Sequence, residues 1–398
     1  MSSALKKGNK WLALIAATLA FTFTFISRFT WAPLMNTVSA EFGITATQAG
    51  LYMSAFFAGY LITQLPGGIM ADKLQPKYIL IVCTLLGGIC TALMSTIGGY
   101  TAGLVLRIIT GLCSGCVMSS CSKIVVANFP PKERATGMGI LLASPPIGIL
   151  LANQIAPRLL NTVGWRTTFV YMSLFSIVTV LAILLFVGTI PHAPSAAGAK
   201  KVGLFEGLAV YFKDPQQLIL ALSGFMFMFV NNGFSTWGNK YAQSLGLTAV
   251  QGGQIISAFS IAGIISSCLS GSIANKLKMD HKKFAALTLV GFGIMSALFG
   301  MVNGYAILIG IGVIYGAFAY FPSCHYTTLA SMRAGDQFSA TAIAAQNLIF
   351  QSASLVQPII IGQIIDKTGN YSIIWWLFAA VCVCSAGICC AFNAAKKH

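Results

Sequence analysis

Polar residues are sparse along this chain, and its organisation is read from where they interrupt. Apolar runs long enough to cross a bilayer, roughly 20 residues each, recur from end to end. Twelve are predicted as helices, near 11–36, 46–71, 78–98, 101–128, 135–160, 166–189, 216–240, 249–274, 283–302, 304–331, 338–365 and 372–393. The Lys-rich start and first run have the outline of a signal peptide. The run is too long and no A-x-A-like site closes it, so it reads as the first helix. The rhythm fails once, at 190–202, IPHAPSAAGAKKV, a Pro/Ala/Gly/Lys-rich stretch without apolar period. That composition predicts a flexible linker. The stretch that follows, LFEGLAVYFKDP, spaces its apolar residues like a short amphipathic helix lying on the inner membrane surface.

One phrase occurs twice. GITATQAGLYMSAF at 43–56 returns as GLTAVQGGQIISAF at 246–259, identical at eight of fourteen positions with a constant offset of 203. The offset extends to Gly68-x-x-x-Asp72-Lys73-Leu74 against Gly271-x-x-x-Asn275-Lys276-Leu277, and to Ser120-Cys121 against Ser323-Cys324. Six helices were therefore duplicated to make twelve. An even number keeps both halves in one orientation, a parallel repeat of the kind that builds transporters with a substrate site between the halves. The expected architecture is an all-α integral membrane protein, with six-helix bundles at 1–189 and 216–398 joined by a cytoplasmic linker with an amphipathic segment at 190–215.

Composition agrees. The chain is 57% hydrophobic and 8% charged, against about 25% charged for soluble domains, so apolar surface faces the lipid bilayer as well as a core. The net charge of +16 is not a nucleic-acid footprint, because its placement follows the membrane. With the N-terminus inside, seventeen of the 24 Lys and Arg fall in cytoplasmic loops or tails, and four (Arg158, Arg166, Lys240 and Lys367) fall outside. This bias predicts a multi-pass plasma-membrane protein, a bacterial inner membrane fitting best, with both termini cytoplasmic. The cysteines, including CSGC at 113–116, sit inside apolar runs and read as packing residues; no metal site or disulfide framework is expected.

Three cations remain within the runs: Arg28, Arg107 and Lys123. Arg28 interrupts FTFTFISRFTW at 21–31, where a charge near a helix centre costs about 2.5–3.5 kcal/mol on insertion scales. Apart from Asp72 and Glu133 at the margins, no acid lies in a run to pair with it. Thr24 and Trp31, at helical spacing, share its predicted face. A guanidinium beside a hydroxyl and a ring suits a planar carboxylate or sulfonate; the alternative is an Arg that snorkels to the interface. His325 is the intramembrane histidine, either a group titrating near neutral pH or a neutral hydrogen-bonder. Gln346, Asn347 and Gln351, like Tyr52 with Phe56, bind ligand or glue helices. Lys123 attracts anions or snorkels.

The loop GGIMADKLQPKY at 67–78 is similar to the Gly-x-x-x-Asp-Arg/Lys signature of the major facilitator superfamily, matching at Gly68, Asp72, Lys73 and Lys77, with Gln75 in place of a Gly and Pro76 in place of a basic residue. Arg107-x-x-x-Gly111 resembles the start of that family's helix-four motif, and FPPKER at 129–134 its following loop. The resemblance spans essentially the whole chain. It implies a twelve-helix facilitator in which Gly68 lets helix ends approach and Asp72 latches one conformation, with Lys73, Lys77, Glu133 or Arg134 as partners. In the organic-anion branches, the anion:cation symporters and the organophosphate:phosphate antiporters, an Arg at the place of Arg28 binds substrate. The antiporters add an Arg in helix seven, where the offset here gives Asn231, beside Asn232; a singly charged anion is thus favoured. The symporters' acids are replaced by Ser27 and Ser114, which favours antiport or uniport. The expectation is therefore a secondary transporter of a small organic anion, acting as a monomer without a cofactor. Its rivals are a polyspecific exporter of lipophilic compounds and a transporter-like receptor. An enzyme is disfavoured, since no nucleophile–base set or metal cluster is evident.

Overall fold

The structure is a computed structural model that describes residues 9–130, 133–190, 204–335 and 338–393. All described regular structure is helical. The first span is α1 (Lys10–Phe29) followed by α2 (Trp31–Phe42). Then come α3 (Ala46–Lys73), α4 (Pro76–Leu93), α5 (Tyr100–Gly115) with α6 (Val117–Asn128), and α7 (Arg134–Leu141) with α8 (Ser144–Phe186). After the linker follow α9 (Leu204–Lys213), α10 (Pro215–Ser244), α11 (Ala249–Lys276), α12 (His281–Met301), α13 (Tyr305–Tyr320) with α14 (Pro322–Ala334), α15 (Ser339–Thr368) and α16 (Ile373–Ala391).

Predicted runs and observed spans correspond one to one, with local differences that have identifiable causes. The first run is two helices because Pro33 lacks an N–H and its ring crowds the carbonyl of Phe29, four residues back; the helical ladder breaks at Thr30. Pro322 acts in the same way between α13 and α14. The fifth and sixth runs are two helices that meet within α8 at Gly164, whose φ of 76° and ψ of 168° are not helical.

The chain divides into two compact units, Met1–Ala193 and Pro194–His398. Each repeats the other's helix starts. Gly43 and Gly246 both take positive φ, 62° and 86°. Thr45 with Gln48, and Thr248 with Gln251, each form a capping box at the head of the second span. The duplicated phrase is thus kept largely where it writes a turn and a cap. In each unit the fourth span also rides against the second through a glycine. A Cβ on Gly111 would sit 1.9 Å from the Phe56 carbonyl oxygen, and one on Gly316 would sit 2.1 Å from that of Phe259.

Outward faces are apolar: Ile62, Val178, Leu185, Ile265 and Val383 are all more than half exposed, a surface suited to hydrocarbon rather than water. Polar ties gather at helix ends. Within each unit, call proximal the end at which its first span begins. In the N-terminal unit Lys10 pairs there with Glu133. In the C-terminal unit Asp214, the cap of α10, takes a bidentate contact from Arg333 (Nε to Oδ2 2.7 Å, Nη2 to Oδ1 3.0 Å). At the distal end of the first unit, Glu41 accepts from Trp165 Nε1 and Arg166 Nη1, each at 2.5 Å.

The linker at 191–203 lies outside the described residues. The amphipathic helix α9 buries Tyr211 in a cluster with Ala221, Ala342 and Ala345. On the same helix Val210 and Phe212 remain exposed.

Gly111→Ala and Gly316→Ala should each cost about 1–3 kcal/mol of stability, read as a lowered melting temperature in detergent. Gly139→Ala, whose Cβ would meet nothing within 4 Å, should leave it unchanged. Burial works to raise the Asp214 carboxyl, but Arg333 and the α10 N–H groups of Gln216 and Gln217 override it and hold the group below its usual range. Its contribution is full above the unfolded-state value, near 4, and is lost as pH falls through the lower folded value. Acid melting curves of Asp214→Asn should lack that loss.

Candidate substrate-binding site

Arg28 lies about 27 Å along the first span from Lys10, at 1.5 Å per residue, so it is well inside the membrane-crossing segment. It is 2% exposed. Its guanidinium carbon sits over Phe25 and Phe57 (4.5 Å each), Phe56 (4.8 Å), Tyr60 (5.4 Å) and Phe29 (5.7 Å). Among the described residues it has no hydrogen bond or ion pair, and Nε is buried without a partner. Burying an unpaired charge costs several kcal/mol even after relaxation. Cation–π contacts contribute about 0.5–2 kcal/mol each, so five rings offset a comparable amount. They do so without using an N–H donor. Arg has five such donors in a fixed fork, and the rings engage none of them.

Arg107 is equally buried but differently employed. Its Nη1 donates to the carbonyl of Ser27 at 2.8 Å and, more weakly, to that of Arg28 at 3.4 Å. It braces the end of α1 just before the Pro33 break, and so fixes the backbone that carries Arg28. Its guanidinium also approaches Trp31 (5.9 Å) and Phe169 (6.0 Å).

The other N-terminal candidates spend their polar atoms internally. Thr24 Oγ1 donates to Phe21 O at 2.8 Å. Trp31 Nε1 donates to Ala49 O at 3.1 Å, and its ring packs on Tyr52 at 4.4 Å. Tyr52 Oη donates to Tyr100 O at 2.9 Å. Thr24 stays four residues before Arg28 on α1, whereas Trp31 stands beyond the break at Thr30 and opens α2. The group that does surround Arg28 was legible only in part. Phe56, Phe57 and Tyr60 fall on one face of α3 at helical spacing, but sequence gives no sign that this face meets α1 at Arg28.

In the C-terminal unit Asn231, 8% exposed, donates Nδ2 to Ala319 O at 2.9 Å and staples α10 to α13. Asn232 reaches only Met228 O on its own helix, at 3.4 Å. Asn347 and Gln351 are half-buried, with no hydrogen bond among the described residues. Gln346 is buried with both amide atoms unpartnered. So are Gln357 and the Ser354 hydroxyl on the same helix, two residues that sequence reading passed over. His325 lies in the first turn of α14, beside Ser270 and His281.

Of the expected latch, Asp72 carries a side chain outside the described residues. Lys73 ends α3 and is exposed. Within its own unit Gly68 has open space around a Cβ position, whereas one on Gly67 would lie 2.7 Å from Cys116 Cα. Within this unit the close backbone contact is at Gly67. Proposed partners are occupied inside the N-terminal unit: Glu133 by Lys10, Arg134 Nε by Phe129 O at 3.2 Å, and Lys77 Nζ by Leu184 O at 3.1 Å. Gln75, where the signature has a Gly, exchanges two hydrogen bonds with the Ile190 backbone. Lys123 Nζ donates to Ala71 O near the end of α3.

The pattern of the Major Facilitator Superfamily matches residues 17–358. The chain belongs to the major facilitator superfamily. Among relatives of this facilitator, a hexuronate transporter of Bacillus subtilis is 22% identical over 356 residues, 84% of this chain and 83% of the relative. A probable sulfoacetate transporter of Cupriavidus necator is 23% identical over 385 residues, 91% of this chain and 89% of the relative. The fold is also that of a solved bacterial homolog of the human lysosomal transporter Spinster, in an inward-facing and unoccupied conformation. That likeness has a TM-score of 0.80 at 16% identity, over 98% of this chain and 96% of the other.

Arg107→Met should leave two carbonyls of the facilitator's first span without their donor, at about 1–3 kcal/mol. The checking measurement is thermal unfolding beside Arg28→Met. Arg28 has no such bond to lose, so its replacement should be the milder of the two.

Proposed function

We propose that this facilitator moves a small organic anion, a carboxylate or sulfonate, across the membrane by alternating access, with Arg28 as the anion ligand. The observation that carries the proposal is the caged guanidinium itself: charged, sealed among rings, and without an acceptor of its own. An anion meeting it gains charge-assisted hydrogen bonds and relieves the desolvation that the rings only offset. The relatives named for hexuronate and sulfoacetate, both organic anions, support this chemistry. Asn231, at the place that the repeat pairs with Arg28, brings no second charge and favours a singly charged substrate. Asn232, Asn347 and Gln351 are the C-terminal unit's candidates for neutral hydrogen bonds. Ser27 and Ser114 hydroxyls bond back to Thr24 O and Thr110 O and carry no titratable proton, in keeping with antiport or uniport. We place the protein in a bacterial inner membrane, termini inward, on the distribution of its Lys and Arg. The aromatic cage gives specific support to one other reading, a carrier of lipophilic compounds held by stacking.

Thermal-shift measurements on the purified protein with hexuronate, sulfoacetate and other small carboxylates separate the two. An anion present at 100 times its dissociation constant should add about 2.7 kcal/mol of stability. Arg28→Ala should abolish that gain. Arg28→Lys, which offers a point charge in place of a fork, should retain a weaker one. Anions that stabilise should then exchange in proteoliposomes. Undiminished anion stabilisation of Arg28→Ala overturns the assignment of Arg28, and stabilisation by neutral lipophiles in its place favours the second reading.

A further inference from the structure

At the proximal end of the C-terminal unit, three helices meet through a chain of side-chain hydrogen bonds. His281 begins α12, and its Nδ1 lies 2.7 Å from Nδ1 of His325 on α14. His325 Nε2 lies 3.0 Å from Ser270 Oγ on α11. Ser270 donates its hydroxyl proton to Phe321 O at 2.7 Å. His325 is fully buried and packs on Phe284 at 4.8 Å.

The directions of these bonds follow from proton counting. A serine hydroxyl has one proton, and Ser270 gives it to Phe321. Toward His325 it can only accept, so His325 carries its proton on Nε2. Nδ1 of His325 is then a bare acceptor, and the facing Nδ1 of His281 is the donor. The neutral network is a one-way relay: His281 N–H to His325, His325 N–H to Ser270, Ser270 O–H to Phe321.

Such a relay has two different responses to acid. A first proton from solvent goes to Nε2 of His281, a half-buried residue whose Nε2 has no partner among the described residues. The donating Nδ1–H is kept, now on a cation. A second proton has to land on Nδ1 of His325, the atom that accepts. Two N–H groups and two positive charges would then face each other at 2.7 Å, and the contact cannot survive. We propose that the His281–His325 pair is a proton-binding site, which takes one proton with the α12–α14 contact intact and releases that contact on taking a second.

Neighbouring charges do not supply a counter-ion. On α12, Asp280 accepts from the Lys283 N–H at 2.7 Å and lies 3.7 Å from Lys283 Nζ. Lys282 donates to the carbonyls of Cys390 and Phe392 at the end of α16, the helix that presents Cys389 to Lys282 O. On α11 the charge nearest in sequence to Ser270 is Lys276, at the last turn. On α14 Arg333 is engaged by Asp214, and α13 contributes Phe318 and Phe321. The offset of 203 sets His281 against Tyr78 and His325 against Ser122, so the N-terminal copy has no counterpart. The site is independent of what the protein carries.

The test is a pH titration by nitrogen-15 NMR of histidine-labelled protein in nanodiscs. The chain has four histidines, His192, His281, His325 and His398, and His281→Asn and His325→Gln assign the two signals. Near pH 8 the expected tautomers are Nδ1–H for His281 and Nε2–H for His325. On acidification His281 should become doubly protonated while His325 stays neutral. In His281→Asn, whose Nδ2–H stands in for the lost donor, His325 should keep its Nε2–H form. The opposite tautomers, or His325 charging before His281, overturn the proposal. If a variant fails to fold, the unmodified protein still reads the tautomers directly. Its melting temperature should also fall between pH 8 and 5 by about 2–4 °C more than that of folded His325→Gln, and equal falls count against the site.

Discussion

A guanidinium in hydrocarbon has to be satisfied by something, and how the protein meets that demand at residue 28 organises the N-terminal unit. Among the described residues it supplies no carboxylate. It surrounds the charge with aromatic faces from α1 and α3 and secures the backbone beneath it with a second arginine. Rings compensate the charge but leave its N–H groups unspent. The two buried arginines differ in one group: Arg107 gives Nη1 to two carbonyls while its Nε and Nη2 stay without a partner, and Arg28 has no such bond among the described residues.

The same economy governs the rest of the polar inventory. Backbone groups in a bilayer are satisfied within helices, so side-chain hydrogen bonds are left for joints. Ion pairs stand at the helix starts, Lys10 with Glu133 and Asp214 with Arg333, where the chain leaves hydrocarbon. Glycines stand where one span's backbone touches another's carbonyl. What remains unpartnered among the described residues, such as the α15 amides, stands out against that background.

Duplication explains both the likeness of the halves and their differences. The copies share the turn glycine and capping box, which fix where the second span begins and tolerate little change. They differ where a polar group stands in one half alone: Arg28 against Asn231, and His325 against Ser122. Symmetry of backbone with asymmetry of charge suits a carrier whose halves are alike in motion and unlike in chemistry.

Sequence by itself determined the number of spans, the duplication, the family and the singular position of Arg28. Apolar runs, capping residues and a stranded charge are local facts, legible without neighbours. Tertiary structure decided what each polar atom faces. Thr24, Trp31 and Tyr52 proved to be internally bonded, Gly67 proved to pack on Cys116, and His325 found a second histidine 44 positions away in the chain. The physical reason is that a hydrogen bond is spent or free according to atoms brought from other helices. Helical spacing predicts a face only until a proline breaks the helix, as Pro33 does between Arg28 and Trp31.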